Sequence, residues 1–436
     1  MSSCGLYTKF ETPEATPDKV YGEKITATND TTTAVAPWRE VFTDTLLTNL
    51  IEQALVENSD MQIAKLRVEQ AQARVTAAKL AYVPSLGIKA EGTIADGGSK
   101  SLTVPINAQW EIDLFGRLRN AKQQAQATML QSENYVQLIQ TQLITGVAIN
   151  YYTLVMLDQQ MEITLKSIKN LESNLEVIIA LKEAGMQTEA AVNQAKANIS
   201  NVKVSVHDLR IQINTVEGAL AMLINKPHHT IARSTFKDSN VKKIELKEEY
   251  PILALSNRPD VKDAEYQLRN QFYGVNAARA NFYPAITLGG TMGWHSTGGI
   301  LKDPYSFLMS AIGSITQPLF NRGVNITNLK VAKAQYEQSL ITFQKTILLA
   351  GNEVNNVLAA GKNGQQKLIH RKQQVEENQK AVENSTYLMQ YGSASYLEVL
   401  IAQNTLLQAE LQYTADWFKL IQGKINLYKA LGGGIE

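Results

Sequence analysis

A chain of 436 residues with a single cysteine and a net charge of +1 excludes an intramolecular disulfide and argues against a polyanion partner such as nucleic acid. No apolar run reaches the roughly 18 residues of a membrane helix, so a membrane location would require a β-barrel, the other structure that satisfies its backbone in lipid.

The chain opens Met1-Ser2-Ser3-Cys4-Gly5 without a hydrophobic signal segment. Two readings stand: an ordinary start with an incidental cysteine, or the mature end of a lipoprotein, Cys4 following small residues after signal-peptide removal. Residues 5–36 are rich in Thr, Pro, Asp and Glu and read as extended. Pro37-Trp38 opens an ordered region, and Asp44 or Thr45 is placed to cap a helix through Leu47, Ile51 and Leu55. Asn58-Ser59-Asp60 restarts a helix, with Ile63, Leu66, Ala71, Val75 and Leu80 as its apolar positions.

Residues 86–114 then alternate without a break. Leu86, Ile88, Ala90, Gly92 and Ile94 share one face, and after the turn-like Asp96-Gly97-Gly98-Ser99 so do Leu102, Val104, Ile106, Ala108, Trp110, Ile112 and Leu114. Ser, Thr, Asn, Gln, Glu and Lys dominate the other face. This is a hairpin with one apolar and one polar side. Alternation alone suits a soluble half-buried hairpin as well as a barrel strand, whose signal is weak per segment. The pattern, however, occurs twice. Tyr82-Val83-Pro84 returns as Phe282-Tyr283-Pro284, and Leu114-Phe115-Gly116-Arg117 returns as Leu319-Phe320-Asn321-Arg322. The second hairpin sets Ile286, Leu288, Met292 and Trp294 against Thr287, Gly289, Thr291 and Gly293, and its return strand alternates less cleanly.

Each hairpin leads into a long helical pattern. No proline occurs between Pro105 and Pro227 or after Pro318. Leu118, Ala121, Ala125, Met129, Val136, Ile139, Leu143, Val147, Leu154 and Leu157 step at helical spacing, as do Leu329, Ala332, Tyr336, Leu340, Phe343, Ile347, Val354 and Leu358. A helix from Arg117 to about Glu183 would be about 100 Å long. Gly185 and Gly392 can take the left-handed conformation that ends a helix, and Thr188 and Ser395 can cap the next. His228-His229 lacks a third metal ligand and reads as loop. Gly289-Gly290 to Gly299 lacks the strand-to-helix context of a phosphate loop. Glu133, Glu217 and Glu353 read as solvated helix faces, Lys242-Lys243 as part of a polar connection, and Gly432-Gly433-Gly434 as a frayed end. No nucleophile–base pair, carboxylate dyad or metal cluster is found, so no enzyme is expected.

These residues carry a resemblance over nearly the whole chain. Trp38-Arg39-Glu40-Val41-Phe42, the helix from Asn58-Ser59-Asp60 to Pro84, the strand exit Asp113-Leu114-Phe115-Gly116-Arg117, and the turn Tyr391-Gly392-Ser393-Ala394-Ser395-Tyr396-Leu397-Glu398-Val399-Leu400 resemble the TolC-like outer-membrane efflux channels, specifically their lipoprotein branch. Met186 and Ser393 depart from a common leucine, and Gln390 from a common basic residue. The resemblance implies a mixed α and β fold. In it a homotrimer shares a transmembrane barrel of about 12 strands, four per chain, continuous with a long periplasmic α-helical tube. It implies the outer membrane of a Gram-negative bacterium, a periplasmic adaptor and an inner-membrane pump as partners, and no cofactor beyond covalent lipid on Cys4. Gly185, Met186, Thr188, Gly392, Ser393 and Ser395 would form adaptor-docking tips. Glu398 would line the pore constriction, with Ile401 where a second acidic residue is common and Leu397 beside them. The expected division is an N-terminal lipidated segment (1–40), a first repeat (41–230; strands about 83–95 and 101–114), an inter-repeat segment (231–252) and a second repeat (253–436; strands about 284–296 and 306–319). The expected function is passive conduction of exported small molecules. Type I protein secretion, or a non-channel periplasmic coiled-coil scaffold, are the alternatives.

Overall fold

The computed structural model describes residues 7–13, 36–94, 100–237, 253–297, 306–317, 321–392 and 394–434. Cys4, the turn at 96–99, Lys242-Lys243, Gly299, Leu319-Phe320 and Ser393 lie outside the described residues.

Two short helices come first, α1 (Trp38–Val41) and α2 (Thr45–Glu57). The Asp44 carboxylate accepts the backbone N–H groups of Leu46 and Leu47 and starts α2. The Asn58 side chain does the same for Asp60 and Met61 and starts α3 (Ser59–Leu80). Strands β1 (Ser85–Ile88), β2 (Glu91–Ile94) and β3 (Lys100–Ile112) follow. Asp113 then accepts from the Leu118 and Arg119 N–H groups and begins α4 (Arg117–Glu183), which returns as α5 (Glu189–Leu223). After α6 (Leu253–Ser256) the plan repeats: α7 (Pro259–Ala280), β4 (Ala285–Thr297), β5 (Ser306–Thr316), α8 (Val324–Gln390) and α9 (Tyr396–Ala430).

The repetition extends to lengths. α3 and α7 have 22 residues each, α4 and α8 have 67, and α5 and α9 have 35. At 1.5 Å per residue the longest helices measure about 100 Å. Gly185 (φ 73°) and Gly392 (φ 74°) end them in the left-handed conformation. At the first, the Met186 N–H reaches back to the Leu181 carbonyl at 2.8 Å, closing the helix end.

All strands belong to one antiparallel sheet in the order β1/β2, β3, β4, β5. β1 and β2 are pieces of one strand, since both pair β3 in a single register, Ser85 facing Gln109 and Ile94 facing Lys100. The expected alternation of faces holds throughout, but the ladder of hydrogen bonds is interrupted at Lys89-Ala90. The cause is Pro105 opposite: its carbonyl accepts the Lys89 N–H at 3.1 Å, but proline has no N–H to return. β3 and β4, one from each repeat, pair over the whole of 101–112 against 286–297. The hairpins are therefore one sheet, not two peripheral ornaments.

The chain forms two compact units that cut across the repeats. One comprises Met1–Thr16, Ala64–Val136 and Pro259–Ile347 and holds the sheet; the other comprises Pro17–Ile63, Gln137–Arg258 and Leu348–Glu436 and is helical. In the helical unit, Trp38, Phe42, Leu47, Ile51, Ile144, Tyr151, Tyr152, Leu220, Ile425 and Tyr428 form one core. Ile168, Leu171, Ile178, Val192, Ile199, Val399, Leu400 and Leu407 form a second, which joins both helical hairpins near their turns.

Three expectations are corrected. In α3 the buried positions are Met61, Ala64, Ala71 and Val75, while Ile63, Leu66 and Leu80 are exposed. Glu217 is buried rather than solvated, because Arg233 pairs with it at 2.6 Å, and Glu353 pairs with the buried Arg258 at 2.6 Å. Gly432-Gly433-Gly434 is a buried clasp, not a fray. Thr141 Oγ1 donates to the Gly433 carbonyl (2.8 Å), the Gly434 N–H donates to Tyr428 Oη (2.8 Å), and a Cβ on Gly433 would lie within 2.6 Å of the Tyr428 ring.

Candidate channel site

The sheet places the residues of each face in rows. Ile88, Ile106, Met292 and Met309 form one row of paired positions, and Leu86, Ala108, Gly290 and Ala311 form the next. Trp110 pairs with Leu288, and Ile112 with Ile286, which faces Ile315. This face is apolar yet open: Leu86 is 76% exposed, Ile88 73%, Met309 78% and Ile315 73%. The opposite face carries Asn107, Gln109, Thr287, Thr291, Ser310 and Ser314. Its polar groups bond one another, Thr291 Oγ1 to Asn107 Oδ1 (3.1 Å), Thr287 Oγ1 with Ser314 Oγ (2.5 Å) and Thr103 Oγ1 with His295 Nδ1 (2.8 Å). Exposed apolar rows of this size on a folded sheet mark a surface that another apolar phase covers. With 13 residues each, β3 and β4 exceed the roughly 9–11 that a tilted strand needs to cross hydrocarbon. The edges formed by β1/β2 and by β5 carry no strand partner among the described residues.

The helix turns are built differently. At the first, Lys182 and Glu189 form an ion pair across Gly185, and Thr188 Oγ1 accepts the Ala191 N–H at 3.3 Å. The hydrogen bond from Lys182 holds the Glu189 carboxyl below its ordinary range, and Glu189 raises Lys182 in return. Met186 is exposed. At the second, Ser395 is the cap of α9, and its N–H (3.4 Å) and hydroxyl (3.2 Å) both reach Glu398 Oε1. Glu398 is thus fastened to the cap, within the first turn of α9. Leu397 and Ile401 are exposed side by side on one face, while Tyr396, Val399 and Leu400 face the core. The sequence reading grouped Leu397, Glu398 and Ile401, and the fold brings them to one end of α9.

Other charges within the helical unit act as bolts. Asp416 is buried in α9 and accepts from Lys367 Nζ (2.6 Å) and Arg371 Nε (2.9 Å) of α8. Burial would raise its carboxyl, but the two cations outweigh burial and hold it below the ordinary range. Arg233 grips Asp158 in α4 (2.5 and 2.8 Å) and Glu217 in α5. Tyr151 donates to Asp44 Oδ2 at 2.7 Å, and burial pushes its phenol up to about 12. Arg258 donates to the Ala430 carbonyl at 2.8 Å and so pins the end of α9. The sequence reading passed over Asp416, although an acid between the apolar stretches of α9 was a visible signal. His228 bonds the Asn214 carbonyl of α5 and His229 the Pro227 carbonyl, and no group of three metal-ligating side chains occurs among the described residues.

The chain matches the family model described as outer membrane efflux protein over residues 50–226 and 251–433, one stretch per repeat. It is 27% identical over 406 residues to the probable outer membrane lipoprotein SilC of Salmonella typhimurium, covering 91% of this chain and 88% of that one. It is likewise 27% identical over 457 residues to the toluene efflux pump outer membrane protein TtgC of Pseudomonas putida, covering 100% and 93%. Among solved structures, CusC superposes with a TM-score of 0.86 at 25% identity, covering 91% of this chain and 94% of that one.

Proposed function

The chain belongs to the outer membrane efflux protein family, and on that premise we propose that it forms the outer-membrane channel of a tripartite efflux system, a passive conduit for small molecules driven by an inner-membrane pump. The sheet carries this reading: one face apolar and open, the other polar and internally bonded, both edges free to pair. Pairing β5 of one copy with the β1/β2 edge of the next, three times over, closes a barrel of about 12 strands with no edge left to lipid. The polar face then lines the lumen. Spin labels at Val104, Ile106 and Trp110 are expected to report hydrocarbon, and labels at Asn107 and Gln109 water. Water at both sets would refute the barrel.

The helix turns are the periplasmic ends of the tube. Gly185, Met186, Thr188, Gly392, Ser393 and Ser395 supply the surface on which a periplasmic adaptor docks. Leu397, Glu398 and Ile401 line the narrow end, where three symmetry-related Glu398 carboxylates favour cations. An adaptor that binds the open arrangement more tightly than the closed one shifts the channel toward open. In planar bilayers Glu398→Ala is expected to raise conductance and reduce cation preference; unchanged values would remove Glu398 from the constriction. Cys4 carries an acyl anchor, and an unmodified Cys4 thiol by mass spectrometry of natively processed protein would exclude it.

A further inference from the structure

The foot of the sheet, where it adjoins α3, α4 and α7, gathers aromatic and basic side chains that the channel reading leaves unused. Trp110 belongs to the apolar face, and its Nε1–H donates to the Tyr82 carbonyl at 2.8 Å. Lys122 Nζ lies 5.9 Å from the centre of the Tyr82 ring, and the Arg119 charge reaches the Tyr82 phenol. The second repeat mirrors this. Lys79 precedes Tyr82 by three positions, as Arg279 precedes Phe282, each exposed in the last turn of its helix. The Arg279 charge reaches the Tyr7 phenol, whose hydroxyl donates to the Phe115 carbonyl at 3.0 Å. The Phe115 ring stacks on Tyr283 at 5.0 Å.

Two observations show that this clustering is not incidental. None of Lys79, Arg119, Lys122 and Arg279 forms an ion pair among the described residues, and the nearby carboxylates are committed, Asp113 to capping α4 and Glu111 to Arg117. Helix dipoles favour cations at C-terminal turns, which accounts for Lys79 and Arg279, but they oppose Arg119 and Lys122 in the first turns of α4. Those two cations are held at the unfavourable helix end, beside aromatics of the kind that mark a membrane–water boundary.

We propose that Lys79, Arg119, Lys122 and Arg279 form a basic collar that binds the phosphodiester headgroups of anionic phospholipids in the leaflet beside the foot of the barrel. The collar continues the apolar face into the headgroup layer and so rests on the barrel reading. Basic groups near a surface draw anionic lipid to it, so the annulus at the foot is enriched in that lipid and the opposite end is not.

Two tryptophans on the apolar face make this measurable. Trp110 lies at the foot, and Trp294, paired with Val104, lies toward the other end. Trp38 and Trp417 belong to the helical core and give a constant background. Full-length protein would be reconstituted in phosphatidylcholine vesicles with equal mole fractions of bromine-labelled phosphatidylglycerol or bromine-labelled phosphatidylcholine. Trp110, read in Trp294→Phe, is expected to be quenched roughly two-fold more by the anionic label. Trp294, read in Trp110→Phe, is expected to be quenched equally by both. Arg119→Gln with Lys122→Gln should abolish the preference at Trp110. Equal quenching of Trp110 by both labels, a preference that survives this double change, or an equal preference at Trp294 would each overturn the collar while leaving the barrel intact. Trp294 quenched by neither label would overturn the barrel, and the collar with it.

Discussion

Across Gly185 the first helix turn is tied by an exposed ion pair, Lys182 with Glu189; at the second the fastenings lie on either side of Gly392, Tyr387 packed on Tyr391 at 4.7 Å before it and Ser395 bonded to Glu398 after it. The hairpins differ in the same manner. Ser85 faces Gln109 in the first, and at the matching place Ala285 faces Thr316 in the second. Yet Pro105 interrupts one ladder, where Ile312 in the corresponding position leaves the other continuous. The far helix ends also differ. The left-handed residue after α5 is Asn225 (φ 53°) and after α9 is Gly432 (φ 79°). Helix length and turn conformation are thus common to both repeats, while the chemistry that fastens them has diverged. Geometry is fixed by what the barrel must close, and fastening only has to be sufficient.

Substitutions at paired positions test this. The largest effect is expected for Gly293→Ala, whose Cβ would overlap the Val104 carbonyl oxygen and lie 2.6 Å from Pro105 Cα. Backbone cannot step aside, so a loss of about 3 kcal/mol or more and no trimer on size exclusion in detergent are expected. Gly289→Ala, on the same strand, meets only the Ile312 carbonyl oxygen at 3.7 Å and the Ala108 one at 3.9 Å, and should assemble. Next comes Gly433→Ala, pressed against the buried Tyr428 ring, at about 1–3 kcal/mol by denaturant unfolding. At the matching position of the first repeat Lys226 is exposed, and Lys226→Ala should stay within about 0.5 kcal/mol.

Smaller effects separate conformation from fastening. Gly185→Ala and Gly392→Ala should each cost about 1 kcal/mol of left-handed strain, equally, since no atom lies within 4 Å of either Cβ. Unequal losses of stability in the two variants, each measured against the unchanged protein, would show that they are not the same joint. Smallest are the fasteners. Glu398→Ala should cost about 0.5–1 kcal/mol and loosen the first turn of α9. Glu189→Ala should cost less, and its effect should vanish in high salt, because both partners are exposed. The Glu189 carboxyl is lowered in the fold, so its contribution is complete above the ordinary glutamate range and lost as pH falls through the lowered value. Lys182 is raised, so its share is present below the ordinary lysine range and lost as pH rises through the raised value. Exchange at the first turn of α5, followed against pH and salt, reads both.

Much of this was legible because it is local. The stops at Gly185 and Gly392 follow from a backbone conformation that only glycine adopts cheaply, and the sheet faces follow from strict alternation. The interruption at Lys89 was hidden because alternation counts side chains, not N–H groups. The pairing of β3 with β4 was hidden because apolar rows do not name their neighbour. Glu217, Glu353 and the terminal glycines look solvated in one dimension, since their partners Arg233, Arg258 and Thr141 come from elsewhere in the sequence. At the candidate site, Ser395 and Glu398 showed their spacing, but the hydrogen bonds that hold Glu398 against the cap were only visible in the fold.

The contact between Pro105 and Gly293 also bears on the history of the duplication. The residue of the first repeat that matches Gly293 is Thr93, and the one of the second repeat that matches Pro105 is Ile312. A chain assembled from two first repeats would set a β-branched threonine against the proline where only hydrogen is accommodated. A proline in one half and a glycine in the other have made the halves a matched pair, no longer copies that can stand in for each other. The constraint is one-sided: a second repeat paired with itself would set Gly293 against Ile312, with no proline opposite, whereas a first repeat cannot pair with itself in this register until Pro105 or Thr93 is changed.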